Sequence, residues 1–297
     1  MRIVITGGAG FIGSHLAESL VEEHEVVVID NLSSGSEENL HSEVEHVHHD
    51  IKEEIPENIF SGAHTVFHLA ANPKVNTFPK DRHKDFEENL RGTKNVLDTC
   101  VEAGVDHIVF ASSSVVYGED AKIPTPEHHN FDPISMYGAT KAGGEHKCKV
   151  YSKIFDMDLT ILRLANIVGG RNQKGVIYDF VHKLKDNPEK LTILGNGKQK
   201  KSYLHIEDTV EGIIQAWKSE RTTFNIGAED AIDVDGIADI VAEELGHDPE
   251  YEYTGGDRGW EGDVPEMRLE IEKLRQHGWE PKRDSEASVR KTVREIL

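Results

Sequence analysis

Thr6-Gly7-Gly8-Ala9-Gly10-Phe11-Ile12-Gly13 is the stretch that decides the fold of this 297-residue chain. Ahead of it, Ile3-Val4-Ile5-Thr6 has the continuous apolar character of a buried strand, and behind it the spacing over 12–22 predicts a helix. Gly7, Gly10 and Gly13 stand three apart. In a strand–turn–helix setting the first lets the chain turn sharply, the second lets the backbone approach a pyrophosphate, and the third lets helix and strand pack closely. The helix N-terminus then presents free N–H groups and a positive dipole end to the phosphates. The next strand, Val26-Val27-Val28-Ile29, ends in Asp30. An acid there accepts hydrogen bonds from an adenosine ribose and repels a 2′-phosphate, so the expected cofactor is NAD rather than NADP. Asp50 and Ile51, after the third strand, are candidates to border the adenine, although an Asp in that place also caps helices.

Outward from this turn, β-branched runs at 3–6, 25–30, 44–48, 65–69, 107–112 and 159–164 alternate with helical patterns at 12–22, 81–103 and 136–155. Strand–helix–strand repetition implies a parallel sheet with right-handed crossovers. The fold class expected is α/β: a Rossmann-like doubly wound parallel sheet in an NAD-binding domain, residues 1–165. A smaller α/β substrate-binding domain follows in residues 166–297, with the part near 205–230 returning to the first domain. In that second half the pattern predicts helices near 175–186, 206–219, 234–245 and 268–277, short strands near 191–194, 222–226 and 250–253, and Gly-bearing loops at 195–197 and 255–259.

Composition narrows the classes of function. With 33 Lys and Arg against 54 Asp and Glu, the formal charge is −21, which leaves no basic face of the kind nucleic acid requires. No apolar run approaches the ~20 residues of a membrane span. Cys100 and Cys148 form no CxxC pair, which fits a reducing compartment. The strand pattern beginning at Ile3 leaves no room for a signal peptide, so the cytoplasm is the expected address.

Tyr137-Gly138-Ala139-Thr140-Lys141 places a phenol and an ammonium at i and i+4, on one helix face. A free tyrosine, with a pKa near ~10, is a poor base at neutral pH. A neighbouring Lys and the positive nicotinamide of bound NAD would favour the phenolate. Tyr137 could then take a proton from a sugar hydroxyl while hydride leaves the same carbon. The strand ending at Ala111-Ser112-Ser113-Ser114 brings Ser113 to the carboxyl edge of the sheet, where open α/β sheets bind ligands. There Ser113 can hydrogen-bond the reacting oxygen. A solvated Tyr–Lys pair would be the bland account of the helix taken alone.

At these residues the chain resembles the extended short-chain dehydrogenase/reductase family, in particular the NAD-dependent epimerases and dehydratases of nucleotide sugars. The resemblance runs through 6–13, Asp30 to Gly35, His68 to Ala71, Asn89, Val116-Tyr117-Gly118, Tyr137 with Lys141, Leu162-Arg163 leading to Asn166, 202–208 and 224–227. It implies that Phe11, Ile12, Asn31, Ser33, Ser34, Gly35, Leu69, Ala70, Ala71, Asn89 and Ser112 join Gly7, Gly10, Gly13, Asp30, Tyr137 and Lys141 around the cofactor. It implies Ser113, Tyr137 and Lys141 as the catalytic set, and Ser113, Tyr137 and Asn166 against the substrate. Lys201 stands where the family has an Arg on the diphosphate. Trp260-Glu261-Gly262-Asp263 replaces the family's Arg-x-Gly-Asp, with Arg258 the expected substitute.

Family dehydratases resemble one another in carrying Thr-Asp-Glu where this chain has Ser113, Ser114 and Val115, because eliminating water needs an extra acid and base. UDP-glucuronate decarboxylases usually keep that Glu. The four-epimerases similar to UDP-galactose 4-epimerase need only the Ser, Tyr and Lys. The reaction implied is 4-epimerisation of a UDP-hexose, UDP-glucose or UDP-galactose, by a cytoplasmic homodimer whose helices holding Asn89 and Tyr137 build the dimer. The alternatives are an epimerase of a UDP-N-acetylhexosamine or UDP-uronate, a 4-keto-sugar reductase, or a non-catalytic dinucleotide sensor on the same fold. His46, His48, His49 and Asp50 are not expected to hold a metal, because strand alternation sends His48 and His49 to opposite faces. Gly143-Gly144 predict close packing of the Tyr137 helix against another helix.

Overall fold

The computed structural model describes residues 1–73, 81, 83–260 and 262–297. Strand β1 (Arg2–Thr6) passes through the glycine turn into helix α1 (Phe11–Leu20) and β2 (Glu25–Asp30). Next come β3 (Glu45–His48), the short α2 (Glu57–Phe60), β4 (Ala63–His68), and a π-helical turn (Phe86–Arg91) that runs into α3 (Gly92–Glu102). Then follow β5 (His107–Ser113), α4 (Met136–Phe155), β6 (Asp158–Leu164), β7 (Asn166–Val168), α5 (Val176–Asp186) and β8 (Lys190–Ile193). β9 (Lys200–Lys201), β10 (Tyr203–His205), α6 (Ile206–Lys218), β11 (Thr223–Ile226), β12 (Ile232–Asp233) and α7 (Val234–Leu245) continue the chain. It closes with β13 (Glu250–Tyr253), β14 (Glu266–Met267), α8 (Glu272–Gln276) and α9 (Ser285–Ile296).

Two compact units divide these elements. One gathers Met1–Val116, Ser135–Arg163 and Ile213–Phe224; the other gathers Tyr117–Ile134, Leu164–Gly212 and Asn225–Leu297. Residues 117–134 therefore group with the second unit and 213–224 with the first.

A seven-stranded sheet runs β11-β6-β5-β4-β1-β2-β3. Strands β3-β2-β1-β4-β5 pair in parallel, with Thr6 opposite both Ile29 of β2 and His68 of β4. Strand order reverses between β1 and β4, the switch point at which doubly wound sheets bind ligands beyond their carboxyl ends. The strands are apolar on both faces because helices cover both. Val4, Val27 and Ile29 are fully buried, and they share a core with Val96 and Leu97 of α3 and Cys148 of α4. Trp217 explains why the end of α6 belongs here. Its ring packs edge-on to Phe67 and its Nε1 donates to Thr65 Oγ1 at 3.2 Å.

In the second unit, α5, α7 and α9 bury Val181, Leu184, Ile237, Val241, Val289 and Val293 in one cluster. β10 pairs with β7, β9 with β12 and β14, and β13 with β8. Two expectations are corrected here. The helix expected at 268–277 shrinks to Glu272–Gln276, because Glu266 and Met267 pair with Lys200 and Lys201 while Leu269 bridges to Thr125. Helix α9 was not expected at all; Asp284 caps it, accepting from Ala287 N at 2.8 Å, and Val289 and Val293 make its buried stripe. Residue 82 of the helix expected at 81–103 lies outside the described residues, as does Glu261.

Candidate active site

The glycine turn is built as the spacing requires. Gly7 has φ +72°, and a Cβ there would stand 2.7 Å from the Ala70 backbone, so the Leu69–Ala71 segment runs directly against the turn. A Cβ on Gly13 would stand 2.4 Å from Gly7 O. No side chain caps α1, which leaves its first turn, Phe11 and Ile12 included, to meet an anion through backbone N–H groups.

Asp30 accepts from Ala9 N at 3.0 Å through one oxygen and from Leu32 N at 2.8 Å through the other. Each oxygen keeps a lone pair, enough for a ribose diol. The 31–36 segment folds over the turn through Ser36 N to Ala9 O at 3.1 Å, with Gly35 against the Ala9 backbone. Ser33 and Ser34 are exposed. Asn31 donates to Asp50 at 3.0 Å, and Asp50 also accepts from Lys52 N at 3.0 Å. Burial works against ionisation of Asp50, but the Lys52 amide, Asn31 and the Lys52 ammonium hold its carboxyl below the ordinary value. Asp50 is thus a turn former as well as a candidate neighbour of the adenine. Ile51 lies in the core against Gly92.

These observations meet the demands of a dinucleotide: an uncapped helix end, a turn with no room for side chains, and an acid with spare lone pairs at the end of the next strand.

Helix α4 starts where Ser135 accepts from Gly138 N at 3.1 Å and stops where Asp156 turns left-handed at φ +53°. Its first two turns carry Tyr137 and Lys141. The Ser113 hydroxyl lies beside the Tyr137 phenol and favours its ionised form. Lys141 Nζ donates to Ala111 O at 2.8 Å and lies 5.9 Å from the Tyr137 ring centre. The structure therefore brings Ser113, Tyr137 and Lys141 together.

The electrostatics differ from expectation in one respect. Burial pushes the phenol up to about 12; the Ser113 hydroxyl offsets part of this and the Asp85 charge adds to it. In the protein alone the phenol is not depressed, because burial outweighs the help it receives from Ser113. Burial pulls the Lys141 ammonium down to about 8, against the opposing pull of Cys148 and Glu145.

Around this set, His68 is 1% exposed, with Nδ1 2.7 Å from Thr6 Oγ1 and Nε2 2.9 Å from Thr93 Oγ1. Burial, then the Lys141 charge, bring its ring down to about 3, so it is neutral. Asn89 accepts from Asn72 N at 2.7 Å and donates to Thr140 Oγ1 at 3.0 Å. Its side chain joins the 72 segment to α4. Ser112 donates to Glu145 Oε1 at 2.6 Å, so its hydroxyl is directed at α4. Glu145 and Arg163, its buried partner, were missed in the sequence, although Glu145 stands four residues after Lys141 on the same face. Gly143 and Gly144 pack within the chain, against Leu90 and Phe110.

In the second unit, Asn166 donates to Ser202 O at 3.1 Å. Lys201 and Arg258 converge on Asp263. Lys201 pairs with its carboxylate and lies 5.0 Å from the Trp260 ring centre, while Arg258 donates to Asp263 O at 3.1 Å and pairs with Glu119. Two cations and the carboxylates of Asp263 and Glu119 thus form one charge-balanced cluster.

Among the described residues no group of three or more His, Cys, Asp or Glu is placed to hold a metal, and no helix is long and apolar enough to cross a membrane. His46 pairs with Glu37 at 3.1 Å.

Comparison with known proteins agrees with this geometry. Residues 3–227 match the model of the NAD dependent epimerase/dehydratase family. A putative UDP-glucose 4-epimerase of Methanocaldococcus jannaschii is 34% identical over 98% of this chain and 97% of its own length. A solved UDP-galactose 4-epimerase is 44% identical, with a TM-score of 0.91 over 100% of this chain and 98% of its own. The UDP-glucose 4-epimerase of Thermus thermophilus, solved in complex with NAD, is 31% identical, with a TM-score of 0.92 over 100% of this chain and 99% of its own. A glycine turn closed by Asp30, and a serine–tyrosine–lysine set one sheet edge away, thus belong to an NAD-using chain that is a member of the NAD-dependent epimerase/dehydratase family of nucleotide-sugar enzymes.

Proposed function

We propose that this chain interconverts the C4 epimers of a UDP-hexose, UDP-glucose and UDP-galactose, through a 4-keto sugar. The observation that carries the reading is the convergence of the Ser113 hydroxyl, the Tyr137 phenol and Lys141, one turn along the helix, in a site where 113–115 supply no carboxylate for eliminating water.

Bound NAD would accept and return the C4 hydride and add a positive ring beside the phenol. The chain's own residues move the proton. Tyr137 Oη takes it from the 4-hydroxyl and later gives it back. The buried phenol resists ionisation, so its proton leaves only when positive charge stands near, which ties deprotonation to a loaded site. Ser113 releases the phenol and donates to the 4-oxygen. Lys141, anchored on Ala111 O, sets the field at the phenol and reaches the cofactor ribose.

Gly7, Gly10, Gly13 and Asp30 hold the dinucleotide, with Phe11, Ile12, Asn31, Ser33, Ser34, Gly35, Asp50, Ile51, Leu69, Ala70, Ala71, Asn89 and Ser112 around it. The unit of Met1–Val116, Ser135–Arg163 and Ile213–Phe224 serves as the NAD-binding domain and the other unit as the substrate domain, in which Asn166, Lys201 and Arg258 hold the diphosphate. Lys201 supplies charge without the bidentate fork of an Arg. The exposed apolar Val150, Ile154 and Phe155 of α4 support a homodimer on that helix, and the absence of a CxxC pair supports a cytoplasmic setting.

A panel of UDP-glucose, UDP-galactose, UDP-N-acetylglucosamine and UDP-glucuronate, with products identified by NMR, tests the substrate. The predicted result is turnover of the neutral hexoses; turnover of another member alone moves the assignment to it. Net NADH consumption would make the enzyme a reductase, and no turnover with NAD bound would make it a sensor. Tyr137→Phe should lower kcat by ~100-fold or more while NAD stays bound; an unchanged rate removes Tyr137 from the mechanism.

A further inference from the structure

The last three residues of β5 each meet α4. Ala111 O accepts from Lys141, Ser112 Oγ donates to Glu145, and the Ser113 hydroxyl lies beside the Tyr137 phenol. The helix partners stand at 137, 141 and 145, four apart, so one face of α4 is fastened rung by rung to the strand end. The third rung is the strongest. Glu145 is fully buried, and both its oxygens are engaged: Oε1 by Ser112 at 2.6 Å and Arg163 Nε at 2.9 Å, Oε2 by Arg163 Nη2 at 2.7 Å. Arg163, on β6, is 3% exposed. One carboxylate therefore spans α4, β5 and β6.

Burying such a pair costs several kcal/mol of desolvation per ion, and an apolar pair of the same volume would pack the site as stably. What an apolar pair lacks is direction. The guanidinium fork fixes the carboxylate in one orientation, and the carboxylate fixes Ser112, the neighbour of Ser113. The same carboxylate faces the next turn, where Lys141 lies. The other titratable groups about Lys141 are Tyr137 and Cys148 on α4 and His68 on β4; Lys149 lies 3.6 Å from Glu145.

We propose that Glu145, held by Arg163, is a positioning residue for catalysis: it sets the distance between the Ser113 strand end and the Tyr137–Lys141 helix face. Its carboxylate also favours the charged form of Lys141. The kinetic consequence rests on the epimerase reading above; the electrostatic one does not.

The test compares wild type, Glu145→Gln and the double variant Glu145→Gln/Arg163→Met, each as purified with NAD. Both variants should keep NAD and an unchanged KM while kcat falls about 10- to 100-fold, the cost of a small misplacement of reacting groups. The lysine side-chain NMR titration of Lys141, near 8 in wild type, should move to lower pH in Glu145→Gln, where Arg163 keeps its charge. It should return toward wild type in the double variant, where both charges are gone. A purely structural role predicts instead a loss of rate that follows the loss of folded or NAD-bound protein, with the Lys141 titration unmoved. That result overturns the proposal, as does wild-type kcat in a folded double variant. Should Glu145→Gln fail to fold, the double variant decides by its kcat. If wild type epimerises no sugar nucleotide, the function reading fails, and the lysine titration still judges Glu145.

Discussion

Acid should loosen the NAD-binding unit through one histidine, and the size of the effect follows from the structure. His68 ends β4 against the glycine turn, with Thr6 and Thr93 on its two nitrogens. Its ring is held down to about 3, first by burial and then by the Lys141 charge; in the unfolded chain it titrates near ~6.5. The folded value is the lower one. Below ~6.5 the unfolded chain therefore takes up a proton that the folded chain refuses, and stability falls with pH until the folded ring itself protonates. The full contribution is present above ~6.5. At ~1.4 kcal/mol per pH unit, about 3 kcal/mol of it is lost by about pH 4.5. The assay is urea unfolding at about pH 7 and about pH 4.5, at one NAD concentration, on wild type and His68→Gln. His107, lowered to about 4 by burial, titrates in the same window but is common to both proteins and cancels. Wild type should lose about 3 kcal/mol more than the variant. Equal losses would refute the argument that His68 is buried neutral.

Asp30→Ala removes the acceptor of the Ala9 and Leu32 amides together with that expected for the ribose. Calorimetry should show NAD binding weakened ~10- to 100-fold and NADP gaining relative to NAD; an unchanged preference would remove Asp30 from cofactor choice. The charge of −21 repels itself at low ionic strength, so the thermal midpoint should rise by several degrees between ~0.05 and ~1 M KCl. A flat or falling midpoint would show that the surface acids are paired well enough to cancel.

Sequence patterns carried the first unit further than the second. Strands of the doubly wound sheet are near-continuous apolar runs, so Glu25–Asp30 and Asp158–Leu164 stand out against their polar flanks. The second unit builds its strands from two to four residues, as at Lys200–Lys201 and Tyr203–His205. A period of two has no length in which to show there. Helix α9 hides for another reason: its buried stripe is Val289 and Val293 among charged residues, and only the Asp284 cap hints at a start.

At the site, Tyr137, Lys141 and Ser113 were legible because local spacing and the strand end place them. The direction of the Lys141 ammonium, toward Ala111 O, was not. Nor was the Glu145–Arg163 pair, which joins a helix to a strand that it meets only in the folded chain. The raised phenol was also invisible, since spacing says nothing of burial.

The central claim is that hydrogen leaves C4 of the sugar and returns to the opposite face of the same carbon. UDP-glucose deuterated at C4, incubated with the NAD-loaded enzyme in ordinary water, tests it directly. The account predicts UDP-galactose with the deuterium fully retained at C4. Product whose C4 deuterium has exchanged with water, or turnover that leaves C4 uninverted, would contradict it.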